Sequence, residues 1–149
     1  MLQKELSHYL ADSLKALQHT EGTVTTRIKE IHRSIVDLWG GAVPPAERIV
    51  AGFVTNRAQS AQPIDLWLFS QSRCYVAKQF LLEKLEVQTV SIQDGIPKMR
   101  ITRHQVSQQE TLAVTLGFED GSEERLEASG ANCEALRTLL REVVVPKLT

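Results

Sequence analysis

Residues 64–79, Ile-Asp-Leu-Trp-Leu-Phe-Ser-Gln-Ser-Arg-Cys-Tyr-Val-Ala-Lys-Gln, constrain the fold more than any other stretch of this chain. Two apolar runs rich in aromatic and β-branched residues flank Ser70-Gln71-Ser72, whose hydroxyls are suited to bonding nearby backbone amides in a turn. The spacing predicts a β-hairpin, Ile64–Phe69 with Arg73–Gln79, and the same period of two recurs on either side. Arg48–Thr55 reads as a first strand and Asn56–Pro63 as a polar loop. Lys84–Ile92 is a fourth strand, with Leu85, Val87 and Thr89 on one face. Gln93-Asp94-Gly95 reads as a hairpin turn, because Asp-Gly tolerates positive φ. Lys98–Arg103 follows with Met99 and Ile101 on its buried side, then a polar loop over His104–Gln109. Thr111–Phe118 and Ser122–Ala128 form a last hairpin across Asp120-Gly121. Leu126 and Ala128 share its inner face, while Glu123, Arg125 and Glu127 point outward.

The period is helical at both ends. Leu2, Leu6, Leu10, Leu14 and Leu17, joined by Tyr9, form a narrow stripe broken at Glu21-Gly22-Thr23. Val24, Ile28, Ile31, Ile35, Leu38 and Trp39 form a second stripe, with Lys29, Glu30, Arg33 and Asp37 opposite. It stops at Gly40-Gly41, and Pro44-Pro45 prevents continuation. The pair is expected as a hairpin, either docked on the strands or paired with another copy. Trp67, alternating with Leu66 and Leu68, faces either the sheet exterior under those helices or, with a shifted register, the core. Near the C-terminus, Cys133, Leu136, Leu139, Leu140, Val143 and Val144 mark an amphipathic helix. Ser129 or Asn132 is its expected cap, and Pro146 its stop.

At 149 residues the chain fits one domain with an extension, and its 42% apolar content is enough for a core without metal or disulfide staples. Lys+Arg and Asp+Glu number 17 and 18. That balance gives no general attraction to nucleic acid, which requires neutralised phosphates. No secretory signal and no apolar run of membrane-spanning length is legible, so a cytoplasmic location is expected. Cys74 and Cys133 stand far apart and outside any C-x-x-C pair, and read as reduced core residues.

Candidate chemistry is sparse. His8, His19, His32 and His104 show no metal-ligand spacing and read as surface or interface residues. Glu119-Asp120 and Glu123-Glu124 flank a turn, where solvated acids are common. No nucleophile elbow, phosphate loop or dinucleotide fingerprint occurs. The sequence therefore points to a non-enzymatic chain with no cofactor and no metal. Its best basic cluster is Lys98, Arg100, Arg103 and His104, with Lys98 and Arg100 on one strand face. The cluster reads either as a patch for an anionic or acidic partner or as a solvated face paired with Glu83 and Glu86. Arg57 lies alone in the first inter-strand loop.

Seven antiparallel strands closed by a helix, with Leu68-Phe69-Ser70-Gln71-Ser72-Arg73-Cys74-Tyr75-Val76 as the local motif, resemble the pleckstrin-homology-like superfamily, in the branch of GRAM domains and bacterial PH-like proteins. Ser70, Arg73 and Tyr75 match that pattern, and Cys74 departs from its usual aliphatic residue. The resemblance spans about residues 46–146 and implies a seven-stranded antiparallel β-barrel or sandwich domain, residues 46–149, closed by the C-terminal helix. With the helical hairpin extension over residues 1–41, which lies outside it, the chain is expected to be α+β. The resemblance also implies a binding module for a protein or peptide partner, alone or as a homo-oligomer. A cradle for phosphoinositides would need several cations where this chain has only Arg57. Anionic-lipid binding is thus an alternative, as is a small-molecule carrier or enzyme on a cone-shaped fold resembling the nuclear-transport-factor-2-like group.

Overall fold

A computed structural model describes residues 4–18 and 22–149. Helices α1 (Lys4–Ala16) and α2 (Thr23–Asp37) come first. A four-stranded antiparallel sheet follows, in the order β1 (Ala51–Val54), β2 (Leu66–Phe69), β3 (Arg73–Ala77), β4 (Val87–Ser91). A three-stranded antiparallel sheet comes next, β5 (Lys98–Val106), β6 (Gln109–Gly117), β7 (Glu123–Ser129). Helix α3 (Asn132–Leu139) runs on through a π turn at Leu140–Val144 and a 3-10 turn at Val145–Lys147. The architecture is α+β.

β1–β3 are nearly unbroken apolar runs, which gives the first sheet two apolar faces, and both are covered. Register places Phe53 beside Trp67 and Trp67 beside Val76. This inner face meets β6, β7 and α3 in one core with Phe69, Val114, Leu116, Leu126, Leu136 and Leu139. Trp67 stacks on Phe69 with ring centroids 6.0 Å apart. Leu66, Leu68, Tyr75 and Ala77 face the other way, into a second core with Leu10, Leu14 and Leu17 of α1 and its end and Ile28, Ile31 and Ile35 of α2. The helices therefore cover the leucines that flank the tryptophan, and Trp67 lies inside. Each fully buried aliphatic side chain contributes roughly 1.5–3 kcal/mol as an upper estimate. The stripes from Leu10 to Leu17 and from Val24 to Ile35 are thus spent on this chain's own sheet, whereas Leu38, expected on the second stripe, is 78% exposed. Leu2 and the side chain of Leu6 lie outside the described residues.

The sheets do not close into a barrel. On one side Asn56 N–H donates to the Glu127 carbonyl at 3.1 Å, tying the end of β1 to β7. On the other side β4 and β5 belong to different sheets, so the Gln93–Gly95 segment is a turn between sheets and not a hairpin. Gly95 N–H closes it on the Ile92 carbonyl at 3.0 Å. Ile96 then pairs with the C-terminus, its N–H on the Lys147 carbonyl at 2.6 Å and its carbonyl accepting from Thr149 N–H at 3.1 Å. Two other expectations fail locally. β5 continues to Val106, where a loop was expected, and Ile101 is 51% exposed on a face expected to be buried. Neither Ser129 nor Asn132 caps α3, whose first turn follows Ala131 with no side-chain cap. The Asn132 amide turns inward instead and donates to the Val54 carbonyl at 2.8 Å and to Asn56 Oδ1 at 3.0 Å.

Candidate functional site

β5 is nine residues long, pairs only with β6, and is exposed along most of both faces. It extends past the expected end because Ser107 and Gln108 take φ of 49° and 66° and form a two-residue reversal between Val106 and Gln109. Positive φ at both turn positions matches the twist of a hairpin. Alternate N–H and C=O groups of an edge strand point away from the sheet. Among the described residues no strand pairs with that outer edge of β5.

The predicted basic residues divide by face. Lys98, Arg100 and His104 share the outer face with Gly117, Thr115 and Thr111 of β6, whereas Arg103 lies on the opposite face beside Leu112. Lys98 Nζ reaches Glu123 on β7 at 3.0 Å. It does so over Gly117, which presents no side chain between them. That hydrogen bond holds the Glu123 carboxyl below the usual carboxylate range. The sequence had offered Glu83 and Glu86 as partners, but Glu86 pairs with Lys84 at 3.5 Å. Arg103 pairs with Glu110, which also takes Arg137 of α3. The Arg137 bond is the main reason that carboxyl stays acidic. Arg100 and His104 make no ion pair or side-chain hydrogen bond among the described residues, although the Arg100 guanidinium also helps hold the Glu123 carboxyl down.

Arg57 stands apart. With Asn56, Asp65, Lys78, Arg125 and Glu127 it lines an open cleft of about 380 Å³ at the β1–β7 seam. Most of that charge is satisfied internally: Lys78 on Glu124 at 2.9 Å, Arg125 on Glu127 at 3.2 Å, and Asp65 Oδ1 on Gln79 N–H at 2.9 Å. The β3–β4 loop beside it exposes Leu81 and Leu82, which the sequence reading passed over.

Among the described residues no group of three His, Cys, Asp or Glu side chains gathers as metal ligands, and no helix is long and apolar enough to cross a membrane. Cys74 and Cys133 are free and buried, and burial pushes both thiols up. His32, expected at the surface, is buried on α2, while the side chain of His8 and all of His19 lie outside the described residues. Comparison with protein-family models, with curated proteins and with solved structures finds no match.

Proposed function

We propose that this chain is a non-enzymatic interaction module that accepts an extended polypeptide segment on the open edge of β5. The observation that carries this reading is a nine-residue edge strand with one partner strand and both faces exposed. Long uncovered edges are templates for strand addition, and main-chain hydrogen bonds then supply much of the affinity. The four-plus-three strand arrangement and the helix after it support a pleckstrin-homology-like scaffold. The filled space between the sheets favours surface binding over carriage of a small molecule. The docked helices favour a role for α1 and α2 as cover for the sheet over one as a dimerisation arm.

The test is hydrogen exchange of the β5 amides, with and without peptides selected by display against the whole chain. Alternate β5 amides are expected to exchange fast in the free protein and to slow on binding. Protection appearing elsewhere, or selection that enriches nothing, would remove the reading.

A second reading rests on Leu81 and Leu82, 41% and 56% exposed beside Lys78, Lys84 and Arg57. An apolar loop tip among cations suits contact with an anionic lipid surface. Flotation with phosphatidylserine-containing vesicles at low salt tests it. Wild-type chain is expected in the floated fraction and a Leu81→Ser/Leu82→Ser variant in the pellet; a wild type that stays down ends this reading.

A further inference from the structure

From the charge and alternation of β5 we infer that the segment it accepts is an acidic strand, with carboxylates on one face and apolar side chains on the other. This rests on the β5 edge being the binding site. β5 reads Lys-Met-Arg-Ile-Thr-Arg-His-Gln-Val and carries no carboxylate. Its neighbours β6 and β7 supply Glu110 and Glu123, which engage Arg103 and Lys98. Arg100 and His104 make no ion pair or side-chain hydrogen bond among the described residues, although Arg100 also feels Glu123; both lie on the outer face, four residues apart, with Thr102 between them on the same face. Side chains on one face of a strand recur every second residue, and opposite charges on directly facing positions attract. An added strand would therefore meet Arg100 with an acid, and a second acid four residues along would accept a hydrogen bond from the His104 ring N–H. On its other face the added strand would lie beside Met99, Ile101 and Arg103, and an apolar side chain is the matching group at the first two.

The same charges argue against a second copy of this chain on the edge. Two β5 strands paired antiparallel about Thr102 would set Arg100 opposite His104 and Ile101 opposite Arg103. That placement gives Arg100 no carboxylate and Ile101 no apolar partner.

The experiment uses the full chain and three labelled nonapeptides in which Val alternates with Glu, with Thr or with Lys. A further pair, Glu/Val peptides N-methylated on one or the other alternate set of amides, reports backbone pairing. The Glu/Val peptide is expected to bind roughly two- to fivefold more tightly than the Thr/Val peptide, about the effect of one facing charge pair, and the Lys/Val peptide more weakly still. Its affinity should fall with salt. Arg100→Glu should weaken it by roughly three- to tenfold, with Arg100→Gln between that variant and the wild type. One N-methylated set should abolish binding and the other leave it. Equal binding of all three patterns, with that N-methyl asymmetry, would overturn the acidic specificity and leave the edge as the site. Failure of every peptide, with β5 amide protection rising with protein concentration, would overturn both in favour of a copy-to-copy interface. Tight Glu/Val binding insensitive to both N-methyl sets would also overturn both, because the contact would then be charge alone.

Discussion

Ser13 on α1 and Asn132 at the start of α3 meet at 2.9 Å, hydroxyl to amide oxygen, across 119 positions of chain. The Ser13 proton is shared with the Val54 carbonyl at 3.0 Å, and the Val54 N–H donates back to the hydroxyl at 3.3 Å. Asn132 in turn joins Asn56, whose Oδ1 accepts from Ser129 N–H at 3.0 Å. Four elements and a loop thus share one buried polar network. Ser13→Ala removes a single node and should cost about 1 kcal/mol. Asn132→Leu removes three buried bonds at once, one each from the Val54 carbonyl, the Ser13 hydroxyl and Asn56 Oδ1, each of which keeps another partner, and should cost about 2–3 kcal/mol. Urea unfolding of the two single variants and the double should show coupling; strict additivity would mean that the two side chains act independently.

Gly95 should resist any side chain. Its φ is +101°, and an added Cβ would stand 2.0 Å from Thr149 Cγ2 and 2.9 Å from the Lys147 carbonyl oxygen. That carbonyl is the acceptor for Ile96. Gly95→Ala is therefore expected to release the C-terminal segment from Ile96 and to lower stability by about 2 kcal/mol, backbone strain included. Hydrogen exchange at Ile96 and Thr149 reads the release. Protection equal to wild type at both amides would contradict it.

Much of the architecture was legible because burial imposes a period. The unbroken apolar run Leu66–Phe69, the alternation of Thr111–Phe118 and the helical stripe at Ile28–Ile35 all sit on sheet or helix faces that are covered. The Ser70 hydroxyl also does what the turn chemistry suggests, accepting from Ser72 N–H at 3.2 Å and Arg73 N–H at 2.9 Å. β5 was hard to delimit for the converse reason. A strand exposed on both faces has no apolar alternation, and Ser107-Gln108 turns without the Gly or Asn that marks such reversals. Lys98 and Arg100 could be placed on one face from spacing alone. That Arg103 faces Glu110, while Lys98 and Arg100 both act on Glu123, depends on strand pairing that spacing does not encode.

Arg27 is expected to hold the β3–β4 loop to α2. Its Nε donates to the Phe80 carbonyl at 2.8 Å and a second guanidinium nitrogen to the Leu82 carbonyl at 2.9 Å. A planar fork serves two carbonyls at once, which an ammonium cannot do in the same geometry. Arg27→Lys should therefore recover only part of what Arg27→Ala loses, with about 1–2 kcal/mol lost in the alanine variant. Limited proteolysis should cut both variants within residues 80–84 sooner than wild type. Unchanged cleavage in the alanine variant would show that Phe80, already buried in the second core, anchors the loop by itself.

His32 predicts how the helical cover responds to acid. It is 8% exposed among the apolar residues of α2, and its Nε2 has no hydrogen-bond partner. Burial disfavours the charged imidazolium and pulls its pKa below the ordinary 6.5. The unfolded chain therefore takes up this proton before the folded one does. Above about pH 6.5 both states hold the ring neutral and it adds no pH dependence. Below that value the unfolded state binds more protons, and stability falls until the folded state's own pKa is passed. The contribution to the slope is at most one proton. Thermal unfolding from pH 7.5 to 5 should show a steeper loss for wild type than for His32→Leu, which keeps an apolar side chain under the helix but removes the titration. Parallel curves would mean that acid acts elsewhere. If the curves diverge, amides of α2 should lose protection at lower acidity than those of β6, because the proton enters beneath the helix and not between the sheets.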